Sequence, residues 1–218
     1  MQLREIELLT GSLSETETFY AYVLGFEVLY KSEEHISFKV GSSTLTFKLV
    51  EGSKAVYHFA FNVPVKQLEQ AFKWTKQKVE LIPVTEDSFY ADFSNWHAKS
   101  FYFYDNNGNI LELIARYDLP DNSTSEHFSI KQVKCISEIG IVCHDLEKEC
   151  NNLMEAYGFT YFDMQPPLEN FKVLGDNNGL LILSSHGRHW YPTEHVAENF
   201  ETKIKLAENG EEIELVFH

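Results

Sequence analysis

A glutamate able to hold a proton or a metal ion recurs at equivalent positions of two similar segments. Glu5 opens residues 5–13, and Glu138 opens residues 138–146, 133 positions later. The similarity continues where residues 24–26 (Leu-Gly-Phe) match residues 157–159 (Tyr-Gly-Phe). A repeat of this length predicts two similar folding units in one chain. The repeated carboxylate could therefore do chemistry in one unit or in both.

Two further ionisable residues, His58 and Glu112, lie in segments that alternate as strands do. Alternation places Glu5 and His58 on the more polar faces of their strands, and it places Glu112 between Ile110 and Ile114. An acid between two isoleucines is costly to bury without a partner. Taken singly, a solvated glutamate or a structural histidine explains each residue. Together, two carboxylates and a neutral imidazole suit Fe, Mn, Zn, Ni or Co.

The elements that must position these residues are predicted to come in the same order twice within residues 1–117: a strand, a helix and then further strands. In the first module, residues 1–54, we expect a strand at 3–9, a helix at 15–24 and strands at 26–31, 35–40 and 43–50. In the second, residues 55–117, we expect a strand at 56–63, a helix at 65–76 and strands at 80–83, 89–93, 100–104 and 109–116.

A polar segment, residues 118–129, is the predicted linker to a second unit at residues 130–218. That unit begins with a complete module: a strand at 135–143, a helix at 146–157, and strands at 159–164, 171–174 and 179–184. Strands at 200–206 and 211–217 follow as a hairpin with no helix before the last strand, so the fourth module is predicted to be truncated. The expected fold class is α+β.

Composition excludes several classes of function. The chain of 218 residues is 44% hydrophobic and carries a net charge of −15, which favours a packed core and disfavours binding to nucleic acid or anionic lipid. No apolar run reaches the roughly 18 residues of a membrane span, and the first residues lack the apolar core of a signal peptide. We therefore expect a cytoplasmic protein without membrane contact. Its three cysteines are expected to be reduced thiols.

Two segments carry a resemblance to a known family. Residues 13–26 and, more specifically, residues 102–113 (Tyr-Phe-Tyr-Asp-Asn-Asn-Gly-Asn-Ile-Leu-Glu-Leu) resemble the vicinal oxygen chelate superfamily, which includes glyoxalase I, fosfomycin- and bleomycin-resistance proteins and extradiol dioxygenases. The resemblance implies paired βαβββ modules whose mixed sheets form cups, with helices on the outer face and two such units in tandem.

The resemblance also implies a metal site in the first unit. In that family the ligands come from the first strand of module one and from the first and last strands of module two, which here hold Glu5, His58 and Glu112. A fourth position falls near Thr46 or Lys48, and neither is a good ligand. Several enzymes of the family use only three protein ligands. A second site around Glu138 and Glu214 would lack a matching histidine.

Other residues are candidates for proton transfer or substrate contact. His97 or Tyr90 is expected to move protons, although a plain loop histidine is the simpler explanation of His97. The expected substrate pocket comprises Tyr57, Trp96, Phe101, Phe103 and Arg116, and core packing is the default explanation for each aromatic residue. In the loop 187–193, Arg188 with Trp190 would either cover a ligand or seal the interface between the units.

Two functions from different classes follow. The first is a metal-dependent lyase or dioxygenase acting on a small molecule with adjacent oxygens, because a metal could polarise both. The alternative is a metal-free protein of the same fold that binds or sequesters a small molecule, as in bleomycin resistance. A structural subunit without ligand is a third account. The chain is expected to be a monomer or homodimer.

Overall fold

The computed structural model describes residues 1–121, 123, 125 and 127–218, so positions 122, 124 and 126 of the predicted linker lie outside the described residues. The first module contains β1 (Gln2–Thr10), α1 (Leu13–Glu17), β2 (Glu27–Lys31), β3 (His35–Val40) and β4 (Ser43–Leu49). The second contains β5 (His58–Asn62), α2 (Leu68–Lys76), β6 (Leu81–Ile82), β7 (Ala91–Phe93), β8 (Ala98–Tyr104) and β9 (Ile110–Arg116). The third contains β10 (Cys135–Cys143), α3 (Leu146–Tyr157), β11 (Phe171–Asp176) and β12 (Gly179–Ser185), and the last strands are β13 (Thr202–Glu208) and β14 (Glu211–Phe217).

Local sequence signals explain where the helices begin and end. Ser12 caps α1 by accepting a hydrogen bond from the Glu15 amide, and Asp145 caps α3 in the same way. Gly25 and Gly158 end their helices in the left-handed conformation, which glycine adopts without strain. The predicted helix at 15–24 continues beyond α1 as a π-helix, Thr18–Leu24. The strand predicted at 159–164 is wrong, because only Tyr161 forms a bridge there, with Leu174.

The strands form two sheets, and each sheet draws strands from both predicted units. The six-stranded sheet has the order β14-β13-β1-β4-β3-β2. The eight-stranded sheet has the order β11-β12-β10-β5-β9-β8-β6, with β7 paired to β8. Modules one and four therefore share one sheet, and modules two and three share the other. The division into two units, residues 1–117 and 130–218, stays a prediction. Each hydrogen-bonded sheet contains strands from both of these units.

The repeat is visible in the backbone as well as in the sequence. The β1–β13 ladder shifts register between Leu3 and Glu5, and the β10–β5 ladder shifts register between Ile136 and Glu138. Each repeated glutamate therefore follows a β-bulge, which re-aims a side chain relative to the partner strand. The two glutamates occupy equivalent places in two different sheets.

One large apolar core contains residues from both sheets and from α2 and α3, and Leu13 of α1 packs against it. A buried polar anchor joins modules one and two at its edge. The Tyr20 hydroxyl donates a hydrogen bond of 2.7 Å to Asp105, whose carboxylate also accepts from the backbone amides of Asn107 and Asn109. Among the described residues, no helix is long and apolar enough to cross a membrane.

Removal of the Tyr20 hydroxyl tests this anchor. We expect Tyr20→Phe to lower the free energy of unfolding by about 1–2 kcal/mol, because the buried Asp105 carboxylate loses one donor. Tyr22→Phe, on the same helical segment but 75% exposed, is the matched control and should change it by less than about 0.5 kcal/mol. Urea unfolding of the three proteins measures the difference. Equal effects of the two substitutions would contradict the anchor.

Candidate metal centre

Three adjacent strands bring His58, Glu112 and Glu138 to one point. In the eight-stranded sheet, β5 lies between β9 and β10. Ala60 of β5 is in register with Glu112 on one side and with Glu138 on the other. His58 lies two residues before Ala60 and therefore projects from the same face. The small Ala60 side chain leaves room above it for the two carboxylates.

The geometry directs three potential ligand atoms at one another. One atom from each of His58, Glu112 and Glu138 lies within 4.8 Å of the others, and all three residues are buried. His58 Nε2 is 3.6 Å from the Glu112 carboxylate. Its Nδ1 lies 3.0 Å from the carbonyl oxygen of Ile110. Because a carbonyl only accepts, Nδ1 carries the proton and Nε2 presents a lone pair to the carboxylates.

Burial sets the protonation of this cluster. Burial and, to a smaller extent, the positive charge of Arg188 lower the pKa of His58 to about 4 against the opposing effect of the Ile110 hydrogen bond, so the imidazole is neutral. Burial also raises the pKa of Glu112 to about 8, with a further contribution from the charge of Glu138. Oε1 of Glu112 has no hydrogen-bond partner among the described residues. A buried acid with an unpartnered oxygen next to a free imidazole nitrogen is suited to a bound cation.

Arg116 neutralises one of the two acids of the cluster. Its buried guanidinium donates to the Glu138 carboxylate and lies near the rings of Trp96 and Phe162. A second guanidinium nitrogen lies 3.4 Å from the Asn177 side chain. Burial raises the pKa of Glu138, and the charge of Arg116 opposes that rise. The cluster thus holds two acids and one fixed cation.

The cluster forms the floor of a cavity of about 470 Å³. The side chains that surround it are mostly aromatic or apolar: Phe93, Trp96, Tyr102, Leu168, Phe171, Ile182, Trp190 and Tyr191. Trp190 is buried with its ring centroid 5.6 Å from that of His58. It fits against β10 because residue 140 is glycine, where a Cβ would come within 2.6 Å of the indole.

The structure does not bring Glu5 to this cluster, which corrects the predicted ligand set. Glu5 lies in the six-stranded sheet, where it accepts hydrogen bonds from Thr46 at 2.7 Å and from Lys205 at 2.9 Å. The physical reason is strand pairing. The first strand of module two pairs with the first strand of module three, so Glu138 takes the place that the resemblance gave to Glu5.

The equivalent face of the six-stranded sheet is closed by ion pairs. Lys205 pairs with Glu5 at 2.9 Å, and Lys203 pairs with Glu7 at 2.8 Å. Glu214 is in register with Lys205 across β13 and β14. Lysine ammonium groups therefore stand where the eight-stranded sheet has a neutral imidazole and an alanine.

The two residues predicted to move protons lie away from the cavity. The His97 side chain is 60% exposed and bonds to Asp118 at 3.1 Å. Tyr90 stacks on Phe72 of α2, with a ring separation of 4.7 Å. Both lie outside the set of residues that line the cavity.

Of the predicted pocket residues, Trp96 lines the cavity, and Arg116 is outside its lining but bonds to Glu138, which is part of it. Phe101 and Phe103 belong to the large core, and the Tyr57 hydroxyl donates to the Glu201 carbonyl at 2.8 Å. The missed residue on this strand is Tyr102, which is in register with Glu112 and lines the cavity. The turn at 105–108 fixes that register, so the position of Tyr102 opposite Glu112 could have been predicted from the sequence.

Solved structures of low sequence identity share this architecture. A candidate dioxygenase from Bacillus subtilis subsp. subtilis str. 168 matches with a TM-score of 0.60 and 18% identity, over 84% of this chain and 63% of its own. A glyoxalase I variant from Zea mays matches with a TM-score of 0.55 and 16% identity, over 90% of this chain and 70% of its own. This protein has the vicinal oxygen chelate fold. The resemblance seen in the sequence is thus confirmed at the level of the fold.

No protein-family model and no curated protein matches this sequence. The chain spans 63% of the length of the Bacillus protein.

The close contact between Gly140 and Trp190 can be tested by substitution. We expect Gly140→Ala to lower the free energy of unfolding by about 1–3 kcal/mol, because the added methyl group overlaps the indole. In a Trp190→Leu background the same alanine should cost less than about 0.5 kcal/mol. Urea unfolding of the four proteins of this cycle measures the coupling. An equal cost in both backgrounds would show that Trp190 does not pack there.

Proposed function

We propose that His58, Glu112 and Glu138 bind one divalent transition metal ion and that the protein is a metal-dependent enzyme of the glyoxalase/dioxygenase type. Its substrate would be a small molecule with two adjacent oxygens. The observation that carries this proposal is the convergence of three buried ligand atoms on the cavity floor. The free Nε2 of His58 and the unpartnered Oε1 of Glu112 support it.

The donor set fits the proposed metal. One imidazole and two carboxylates suit Fe, Mn, Co, Ni or Zn. The fourth ligand position, which falls at Thr46 opposite Glu7 in the first module, corresponds to Ile182 of β12, opposite Gly140. An isoleucine cannot bind a metal, so three protein ligands would leave coordination sites for substrate. When bound, the metal would supply Lewis acidity to the substrate oxygens.

The surrounding side chains have distinct tasks in this proposal. Tyr102 keeps its proton, because burial and then the negative charge of Glu112 raise its pKa well above the usual range. Its hydroxyl can therefore donate a hydrogen bond to a substrate oxygen. Arg116 holds the Glu138 carboxylate in place, and Trp190 shields His58 from water.

One observation favours the alternative of a metal-free binding protein. Arg116 already neutralises Glu138, and burial raises the pKa of Glu112 to about 8, so Glu112 is protonated at neutral pH without a metal. The cluster can therefore exist as a neutral imidazole, a carboxylic acid and an ion pair. In that case the aromatic cavity would bind a small molecule by packing and hydrogen bonds alone.

Metal content distinguishes the two functions. Untagged protein expressed with ample metal should hold about one ion per chain, and His58→Ala, Glu112→Gln or Glu138→Gln should reduce this to less than about 0.2, because each loses a ligand. Glu5→Gln, the equivalent substitution in the other copy of the repeat, should retain the metal. Elemental analysis of each variant measures the ratio.

Folding of the variants is checked by circular dichroism. Glu138→Gln leaves Arg116 buried without its partner and could prevent folding. If that variant does not fold, the double variant Glu138→Gln with Arg116→Met replaces it in the metal analysis. Wild-type protein with trace metal only, unchanged by His58→Ala, would reject the metal site and leave the binding function.

Metal binding should depend on pH through Glu112. Its pKa of about 8 without metal means that a proton must leave before the carboxylate coordinates. The affinity for Co²⁺ should therefore rise by up to about tenfold per pH unit from pH 6 to 8 and level off above. His58, with a pKa of about 4, releases no proton in this window. Calorimetry in buffers of different ionisation enthalpy measures the proton release, and a flat affinity from pH 6 to 8 would contradict it.

A further inference from the structure

Arg188 is a charged side chain on the cavity wall that has no acidic partner in the part of the chain that the structure describes. Its guanidinium lies 4.4 Å from the centroid of the Phe171 ring, and both residues line the cavity. Among the described residues, no carboxylate lies within 4.0 Å of it. Arg116, the other arginine near the cluster, is already paired with Glu138.

The absence of a partner is informative in so acidic a chain. The protein has 33 acidic and 18 basic residues, and lysines such as Lys48 and Lys172 pair with neighbouring glutamates. Partial burial of a guanidinium without a carboxylate costs free energy that an exposed position would avoid. An arginine kept in this position is therefore available to an incoming anion, which it can bind through two parallel hydrogen bonds.

The cavity wall beside Arg188 favours a flat apolar body. Phe93 and Trp96 are stacked with a centroid separation of 5.7 Å, and Tyr191 meets Phe93 edge-on at 6.0 Å. Phe171 and Leu168 line the same cavity. Aromatic side chains arranged in this way offer offset-stacked and edge-to-face contacts to a planar ligand.

We propose that Arg188 is the specificity-determining residue of the cavity and selects small planar molecules that carry an acidic group. The acidic group would bind the guanidinium, and the apolar body would lie among Phe93, Trp96 and Phe171. This inference names the substrate class of the proposed site and rests on the proposed function only in placing the substrate in that cavity. The recognition of charge by Arg188 is independent of the metal.

The test compares two probes that differ in charge but hardly in shape, 2-naphthoate and 2-naphthamide. Calorimetry on the EDTA-treated protein should show the acid bound about 10- to 100-fold more tightly than the amide, the ratio expected for a charge-assisted pair of hydrogen bonds. Arg188→Met should reduce the ratio to less than about twofold, because it weakens binding of the acid far more than binding of the amide. Arg188→Lys should keep part of the preference, because it keeps the charge without the planar fork.

Arg4→Met is the matched control, because it removes the same charge from a cleft away from the cavity. It should retain the preference of the wild type for the acid. A preference that survives Arg188→Met, equal affinities in the wild type, or no binding of either probe would overturn the proposal.

The same titrations on the Co²⁺-loaded protein separate this inference from the proposed function. A protein that holds no metal but prefers the acid through Arg188 would refute the metal site and support the Arg188 subsite. A protein that holds one metal but whose preference does not depend on Arg188 would refute the subsite alone.

Discussion

The antiparallel pairing of β5 with β10 is the constraint on which the site depends. It joins module two to module three and sets Glu138 beside Ala60, which also faces Glu112 from the other side. It also places Gly140 where the indole of Trp190 can lie against the sheet. The cavity floor therefore needs two modules, because His58 and Glu112 come from module two and Glu138 comes from module three.

The sequence predicted what is local and missed what is long-range. Alternation within strands correctly placed His58 on the polar face of β5 and Phe59 on the core face, and the turn at 105–108 fixed the register that puts Tyr102 opposite Glu112. The choice between Glu5 and Glu138 could not be made in this way. It depends on which first strand pairs with β5, and the two strands have nearly the same local pattern. One informative local difference is that β10 has Gly140 where β1 has Glu7, since a glycine inside a strand marks close approach by another group.

The two copies of the repeated glutamate show how environment determines the use of a residue. Glu5 lies on a partly exposed face and is paired with Lys205, an arrangement of small energetic value. Glu138 is fully enclosed beside Arg116 and a second acid, an arrangement that costs desolvation. A protein keeps such a costly cluster where the cluster is used, which is why the buried copy has the better claim to function.

The pairing of modules one with four and two with three has a consequence for how the chain is assembled. In the described part of the chain, the last strand of the eight-stranded sheet ends at Ser185. The strand β13, which pairs with one edge of β1, begins only at Thr202. During synthesis, modules two and three can therefore form their sheet before modules one and four complete theirs. β1 can pair early with β4 of its own module, but its other edge stays exposed until β13 is available, when the eight-stranded sheet can already have formed.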